Sequence, residues 1–206
     1  MIKILPNLKQ QFCEKFWRKK PRLSKRDFLE LQNALYSVNL KLLTGEGPSL
    51  ESYKRRFGYS FNKIITVTDN EFKSLNKTKK EMTVYRGISE PKEYDHPLLK
   101  KLYQDSFNTK KDDIIAARGY TFAAIRKSLG ELFGFYGGKS GILYEIKVPK
   151  GARLSVKSDE VVFPRYSQFK CLKSEKIVND DGQYMFKRIE YIVPKEKSGW
   201  FYNIFK

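Results

Sequence analysis

Residues 141–165 carry the pattern that decides the fold: Gly-Ile-Leu-Tyr-Glu-Ile-Lys-Val-Pro-Lys-Gly-Ala-Arg-Leu-Ser-Val-Lys-Ser-Asp-Glu-Val-Val-Phe-Pro-Arg. Side chains alternate over 142–148 with the period of a half-buried strand, and the proline and glycine at 149–151 predict a turn. A second short strand is predicted over 152–156. Glu160 then stands where a loop enters an apolar run, between water and a core, which suits a catalytic carboxylate. On this stretch alone, a solvated loop acid is the simpler explanation of Glu160.

Composition limits the class of protein. The chain has 206 residues, 40% of them hydrophobic, which suggests one domain or one domain with an appended subdomain. No apolar run approaches the ~20 residues of a membrane span, so we expect none. Two widely separated cysteines favour a reducing, cytoplasmic location and no metal site. His96 is the only histidine, which excludes Ser–His and Cys–His catalysis within the chain.

The formal net charge is +18, and the larger share of it lies in residues 1–80. Such an imbalance favours a polyanionic partner, which could be nucleic acid, an acidic protein or an acidic membrane surface. A lysine-rich surface that only keeps the protein hydrated is the alternative.

Two halves of the chain differ in pattern. Residues 1–80 predict helices, at about 24–43, 49–62 and 68–76, whereas residues 81–206 predict mostly strands. Shorter helices are predicted at 96–105 and 125–133 in this second half. Two long strands, 167–178 and 183–193, flank an Asp–Gly pair that is typical of a hairpin. The sequence therefore predicts an α+β protein, with a basic helical N-terminal subdomain (1–80) packed on a β-rich core (81–206).

Basic and aromatic side chains alternate in the predicted second helix. Lys54, Arg55 and Arg56 follow Tyr53, a combination that could contact phosphates and stack on bases. A solvated helix face with its aromatic residues in the core explains the same pattern equally well.

Three short motifs occur in a fixed order along the second half. They are Arg86-Gly87 at the end of a predicted strand, the strand Gly119-Tyr-Thr-Phe-Ala-Ala124, and Glu160 before Val-Val-Phe-Pro-Arg165. This order resembles the ADP-ribosyltransferases of the arginine–serine–glutamate branch, the bacterial toxin type. Their motifs are Arg-Gly, Gly-Phe-x-Ser-Thr-Ser, and Glu-x-Glu or Gln-x-Glu before Val-Leu-hydrophobic-Pro-Arg-Gly. The resemblance covers roughly residues 82–193 and implies a two-sheet core with a central NAD cleft.

The resemblance implies a role for each motif. Glu160 would stabilise the oxocarbenium-like state that forms when the nicotinamide–ribose bond breaks, and would hold the ribose 2′-hydroxyl. Arg86 would bind the pyrophosphate or phosphoribose with its planar fork. Gly87 would let the backbone approach the nicotinamide carboxamide. Tyr120 or Phe133 could stack on nicotinamide, although core packing is the usual role of such aromatic residues.

The sequence departs from the family pattern at two places. The Ser-Thr-Ser element falls on residues 122–124, or on 121–123 if shifted by one, and only Thr121 keeps a hydroxyl. We therefore expect Thr121 to orient Glu160. Ser158 stands where the first acid or amide of the last motif would meet the acceptor, which argues against arginine as the acceptor.

These observations together predict an NAD-dependent ADP-ribosyltransferase, toxin-like by family analogy, whose acceptor is a macromolecule. The charge, the basic helix and Ser158 favour nucleic acid, as RNA or single-stranded DNA. A protein acceptor, an NAD glycohydrolase and a degenerate nucleic-acid-binding module without activity remain as alternatives. If the protein is a toxin, its basic surface could also meet an acidic neutralising partner, similar to an antitoxin.

Overall fold

The computed structural model describes residues 25–57, 59–135, 140–179 and 182–194. The helices are α1 (Lys25–Thr44), α2 (Leu50–Phe57), α3 (Phe61–Ser74), α4 (Pro97–Asn108) and α5 (Lys127–Phe135). The strands are β1 (Met82–Ser89), β2 (Ile114–Ala116), β3 (Thr121–Ala124), β4 (Gly141–Val148), β5 (Ser155–Lys157), β6 (Glu160–Phe163), β7 (Gln168–Asn179) and β8 (Gly182–Ile192). The predicted α+β class is confirmed. Within the described ranges, no helix is long and apolar enough to cross a membrane.

The N-terminal helices differ in their boundaries from the prediction. The single helix predicted over 49–62 is in fact α2 and the start of α3. Ser60 separates them as the N-cap of α3, where its hydroxyl accepts a hydrogen bond from the Lys63 backbone at 3.3 Å. Residues 1–24 lie outside the described part of the chain, so the predicted 1–80 subdomain boundary stays a prediction.

In the described ranges the strands form one hydrogen-bonded sheet with the order β2-β7-β8-β4-β1-β3-β6-β5, in which β4 and β8 run parallel and the other neighbouring strands run antiparallel. β1 pairs with β4 along its whole length, from Met82 to Ser89. In contrast, β1 pairs with β3 at a single position, Tyr85 opposite Ala124. The two predicted sheets are therefore two segments of one sheet, and a single residue pair between β1 and β3 joins them.

The hairpin signal in the sequence is confirmed. β7 and β8 pair antiparallel from Gln168 opposite Ile192 to Asn179 opposite Gly182. The two residues between Asn179 and Gly182 lie outside the described ranges. The strand β2 was not predicted, because a strand of three residues is too short to show a period.

Alternation along β3 and β6 separates two hydrophobic cores. Val161 and Phe163 face a core formed with β1, β4, β7 and β8, whereas Val162 faces a core formed with the helices. The helical core also contains Leu35, Val38, Tyr53, Ile64, Val67, Phe72 and Tyr120. The helices before residue 75 therefore cover one face of the β3–β6 segment.

Helix α5 packs directly on the backbone of β1. A Cβ atom added to Gly87 would lie 2.0 Å from the Gly130 carbonyl oxygen and 2.0 Å from the Gly134 nitrogen. Gly130 and Gly134 are four residues apart and share one face of α5, so both can approach the strand. Glycine at these positions removes the side chains that would otherwise separate helix and sheet.

We predict that Gly87→Ala destabilises the protein by about 1–3 kcal/mol, the usual cost of overpacking a filled site. Urea unfolding measures this change. Thr83→Val is the matched control: it lies on the same strand with an exposed side chain, and its effect should stay within about 0.5 kcal/mol. An equally small effect of Gly87→Ala would contradict the close contact with α5.

Candidate active site

Arg86 lies where β1 and β3 separate. It follows Tyr85, the residue of β1 that pairs with β3. Its guanidinium Nη1 donates a hydrogen bond to the Phe122 carbonyl oxygen at 2.7 Å. A side chain therefore bridges the two strands just beyond the point where their backbone pairing ends.

The charge of Arg86 has no acidic partner in the described part of the chain. Burial lowers the pKa of its guanidinium, and this effect is opposed by Tyr144 and Tyr36 nearby. A guanidinium has five N–H donors, and the Phe122 carbonyl accepts only one bond. A partly desolvated cation with donors to spare is suited to an anionic ligand, since a buried charge needs compensation.

Glu160 is the first residue of β6 and lies opposite Ala124 of β3. Its Oε2 accepts a hydrogen bond from the Tyr36 hydroxyl of α1. The Tyr36 ring stacks on Phe122, with centroids 4.2 Å apart and an angle of 14° between the planes. Helix α1 thus places an aromatic hydroxyl over the end of the β3–β6 pair.

Glu160 and Arg86 both influence the pKa of the Tyr36 hydroxyl. Burial raises the pKa of the Tyr36 hydroxyl most, the hydrogen bond to Glu160 and the charge of Glu160 raise it further, and Arg86 opposes them. Contacts through Phe122 also connect Arg86, Tyr36 and Glu160, although these residues come from β1, α1 and β6. Tyr36 was not predicted as a site residue, because it is 124 residues from Glu160 in the sequence and lies on a helix whose aromatic residues could equally have been core.

The prediction that Thr121 orients Glu160 is wrong. Thr121 lies opposite Phe163, whereas Ala124 lies opposite Glu160. Three residues of strand separate the two positions, roughly 10 Å at about 3.4 Å per residue. Because an odd offset also reverses the side-chain direction, Thr121 faces the sheet core and Glu160 faces the opposite side.

Tyr120 lies in the helical core and does not present a face for stacking on nicotinamide. Its side chain is 2% exposed, and its ring packs 6.0 Å from that of Phe72. The hydroxyl donates to Asp69 Oδ1 at 2.9 Å, and Asp69 also forms an ion pair with Arg165. Tyr120 therefore joins β3 to α3, which corrects its predicted role in cofactor binding.

The other two predicted cofactor contacts stay predictions. Phe133 is 62% exposed on α5, and its ring is accessible for stacking. Gly87 has the α5 backbone where its Cβ would be, so the helix contact already explains why it is glycine. In the described ranges, no group of three or more His, Cys, Asp or Glu side chains could hold a metal ion.

Ser158 and Asp159 form the two-residue turn between β5 and β6. Ser158 is exposed at the tip of the turn, in the left-handed region with φ of 51°. Asp159 attaches the turn to the segment before α5: its carboxylate pairs with Arg126 at 2.7 Å, and its carbonyl accepts from the Ile125 backbone at 2.8 Å. The turn holds Glu160 in place and leaves Ser158 accessible, so its predicted contact with an acceptor stays a prediction.

The predicted stacking surface on α2 is only partly available. Tyr53 is fully buried, and its hydroxyl donates to the Ser37 carbonyl at 2.6 Å. It therefore cannot stack on a base, and that part of the prediction is wrong. Lys54 and Arg55 are exposed, and the Arg56 side chain lies outside the described part of the structure.

Solved structures with the same architecture were found. Exoenzyme S from Pseudomonas aeruginosa, solved in complex with human 14-3-3 protein beta and bound to carba-NAD, has a TM-score of 0.57 at 11% identity, covering 94% of this chain and 91% of its own. The Salmonella SpvB ATR domain has a TM-score of 0.52 at 16% identity, and the match covers 82% of this chain and 100% of that domain. The Clostridium limosum C3 exoenzyme has a TM-score of 0.50 at 17% identity, and the match covers 93% of this chain and 98% of the exoenzyme chain. The chain has the fold of the bacterial ADP-ribosyltransferase toxins.

No family model and no curated protein matches the sequence. At these identities the structural similarity establishes the ADP-ribosyltransferase fold. The motifs that resembled this family, Arg86-Gly87 and Glu160, lie on β1 and β6 of the ADP-ribosyltransferase fold, on either side of β3.

We predict that Tyr120→Phe lowers the free energy of unfolding by about 1–2 kcal/mol, because it removes a buried hydrogen bond to Asp69. Its affinity for NAD, measured by calorimetric titration, should match that of the wild-type protein. Tyr94→Phe, at a side chain that is 80% exposed, is the control and should change neither quantity. A selective loss of NAD affinity in Tyr120→Phe would restore the role in cofactor binding.

Proposed function

We propose that this protein cleaves the nicotinamide–ribose bond of NAD and transfers ADP-ribose to a macromolecule. The observation that carries this proposal is the convergence of Arg86 and Glu160 at the β1–β3 separation, within the ADP-ribosyltransferase fold. Phe122 connects the two residues, because its carbonyl accepts from Arg86 and its ring stacks on Tyr36, whose hydroxyl donates to Glu160. This site could bind an anion on one side and stabilise a cation on the other.

Glu160 supplies the negative charge for bond cleavage. Loss of nicotinamide leaves positive charge on the ribose, and a fixed carboxylate beside it stabilises that charge as it develops. Tyr36 occupies Oε2 of Glu160, and no other described residue bonds to Oε1. Oε1 is therefore the oxygen that would accept a hydrogen bond from the ribose 2′-hydroxyl.

Arg86 supplies the anion site. One of its N–H groups bonds to Phe122, which fixes the plane of the guanidinium, and the remaining donors are directed elsewhere. A fork of parallel N–H donors matches two phosphate oxygens, as in the pyrophosphate of NAD. The ring of Phe133 on α5 is exposed and could stack on nicotinamide.

The acceptor is the less constrained part of the proposal. Nucleic acid is supported by the net charge of +18 and by exposed Lys54 and Arg55 on α2. Because Tyr53 is buried, it cannot stack on the bases of a single-stranded nucleic acid, and this weakens the argument for such an acceptor. A protein acceptor is therefore the alternative to be tested. Labelled NAD in cell lysate, followed by protease or nuclease digestion, separates the two acceptors.

A toxin role, a cytoplasmic site of action and an acidic neutralising partner are further parts of this proposal. They are supported by the toxin fold and by the basic composition. Co-purification with a co-expressed acidic partner would test the last of them.

We predict that Glu160→Gln lowers nicotinamide release by about 100-fold or more, as expected when a main electrostatic stabiliser is lost. Glu175→Gln is the matched control, since β7 lies five strands from β6 in the sheet order, and it should release nicotinamide normally. Equal rates in both variants would rule out Glu160 as the catalytic carboxylate. Release without any labelled macromolecule would instead identify a glycohydrolase.

We predict that Arg86→Lys weakens NAD binding by about tenfold or more, the equivalent of losing one charge-assisted hydrogen bond. A lysine ammonium cannot satisfy Phe122 and two phosphate oxygens in the geometry of a planar fork. Calorimetric titration with NAD measures the loss. Arg188→Lys, at an ion pair with Glu145 on the surface of β8, is the control and should bind NAD like the wild type.

A further inference from the structure

The hydroxyl that reaches Glu160 comes from helix α1 and not from the motif strand β3. We propose that Tyr36 is the positioning residue for Glu160: its hydroxyl holds one carboxylate oxygen and leaves the other facing the nicotinamide ribose. This inference rests on the proposed function, because it assigns Glu160 the role of the reacting carboxylate.

The strand register explains why β3 cannot provide this hydroxyl. Phe122 and Ala124 face the same side as Glu160, and neither carries a polar group. Thr121 carries one but faces the opposite side. Because Ala124, opposite Glu160, has only a methyl group, space remains above the carboxylate for a side chain from another element.

Helix α1 is fixed against β3, so the position of Tyr36 is defined. Asn39 binds the Tyr120 backbone twice: its Oδ1 accepts from the Tyr120 N–H at 2.7 Å, and its Nδ2 donates to the Tyr120 carbonyl. Gly119 makes room for this contact, since a Cβ there would lie 2.5 Å from Asn39 Oδ1. Asn39 is three residues after Tyr36 on α1, so one helix face makes both contacts.

The Tyr36 ring adds a second constraint that does not depend on the hydroxyl. It stacks on Phe122, which fixes the plane of the phenol and the direction of the C–O bond. The Phe122 carbonyl in turn accepts from Arg86. Phe122 therefore relates the two halves of the site, with its ring under Tyr36 and its carbonyl bonded to Arg86.

The protonation state of Tyr36 agrees with a donor role. Burial, followed by the hydrogen bond and the charge of Glu160, raises the pKa of the phenol well above its ordinary value. The hydroxyl therefore stays neutral near pH 7 and donates its proton in a hydrogen bond without transferring it. Such a bond stabilises the ionised carboxylate and limits its rotation.

Tyr36→Phe tests the proposal because it keeps the ring and removes only the hydroxyl. We expect kcat for nicotinamide release to fall about tenfold, while KM for NAD changes less than about twofold, since the lost bond is to the reacting group and not to the ligand's binding groups. The urea midpoint should stay near that of the wild type. Tyr94→Phe, at a side chain that is 80% exposed against 52% for Tyr36, should leave kcat unchanged.

A second measurement does not depend on turnover. NMR of ring-labelled tyrosine at a pH of about 10.5, just above the ordinary tyrosine pKa, should show Tyr36 still protonated in the wild type. In Glu160→Gln the carboxylate charge is gone, so the pKa of Tyr36 should fall and its ionised fraction should rise. Free tyrosine in the same buffer serves as the reference for both proteins.

The outcomes separate this inference from the proposed function. If the wild type releases nicotinamide and Tyr36→Phe keeps full kcat, the positioning role is overturned and the proposed function stands. The positioning role is also overturned if the ionised fraction of Tyr36 is the same in the wild type and in Glu160→Gln. If the wild type releases no nicotinamide, the proposed function fails and the catalytic role of Tyr36 fails with it.

Discussion

β1 pairs with β3 at one position, Tyr85 opposite Ala124, and the two strands separate beyond it. The candidate site depends on the opening that this short pairing leaves. Two residues further along β1, the α5 backbone lies directly against Gly87. Arg86 is held between these two backbone constraints, and its side chain reaches Phe122 across the separation. A continuous β1–β3 ladder would leave no opening there, whereas a complete separation would give Arg86 no fixed position.

The helical layer does more than cover the β3–β6 segment. Its buried residues form the second core, and Asn39 and Tyr36 connect α1 to β3 and β6. The site therefore takes Arg86 and Glu160 from the β-rich part and Tyr36 from the helical part. The candidate site therefore contains residues from both sides of residue 80.

The features that depend on the order of motifs and on side-chain alternation could be predicted from the sequence. The features that depend on how the strands pair could not. Alternation located β4, the Asp–Gly pair indicated the hairpin of β7 and β8, and the order of the motifs selected Arg86 and Glu160 as the candidates. Thr121 was a wrong choice because the side it faces is fixed by the pairing of β3 with β6, which one strand alone does not reveal. Tyr120 and Tyr53 were misplaced because an aromatic residue shows the same pattern in a core and at a surface.

The central claim is that the opening between β1 and β3 binds NAD, with Arg86 on the pyrophosphate and residue 160 beside the nicotinamide ribose. A crystal structure of the Glu160→Gln variant with NAD tests this claim most directly. We expect pyrophosphate oxygens within hydrogen-bond distance of the Arg86 guanidinium and the ribose 2′-hydroxyl next to position 160. NAD bound at another place, or in this opening without contact to Arg86, would contradict it.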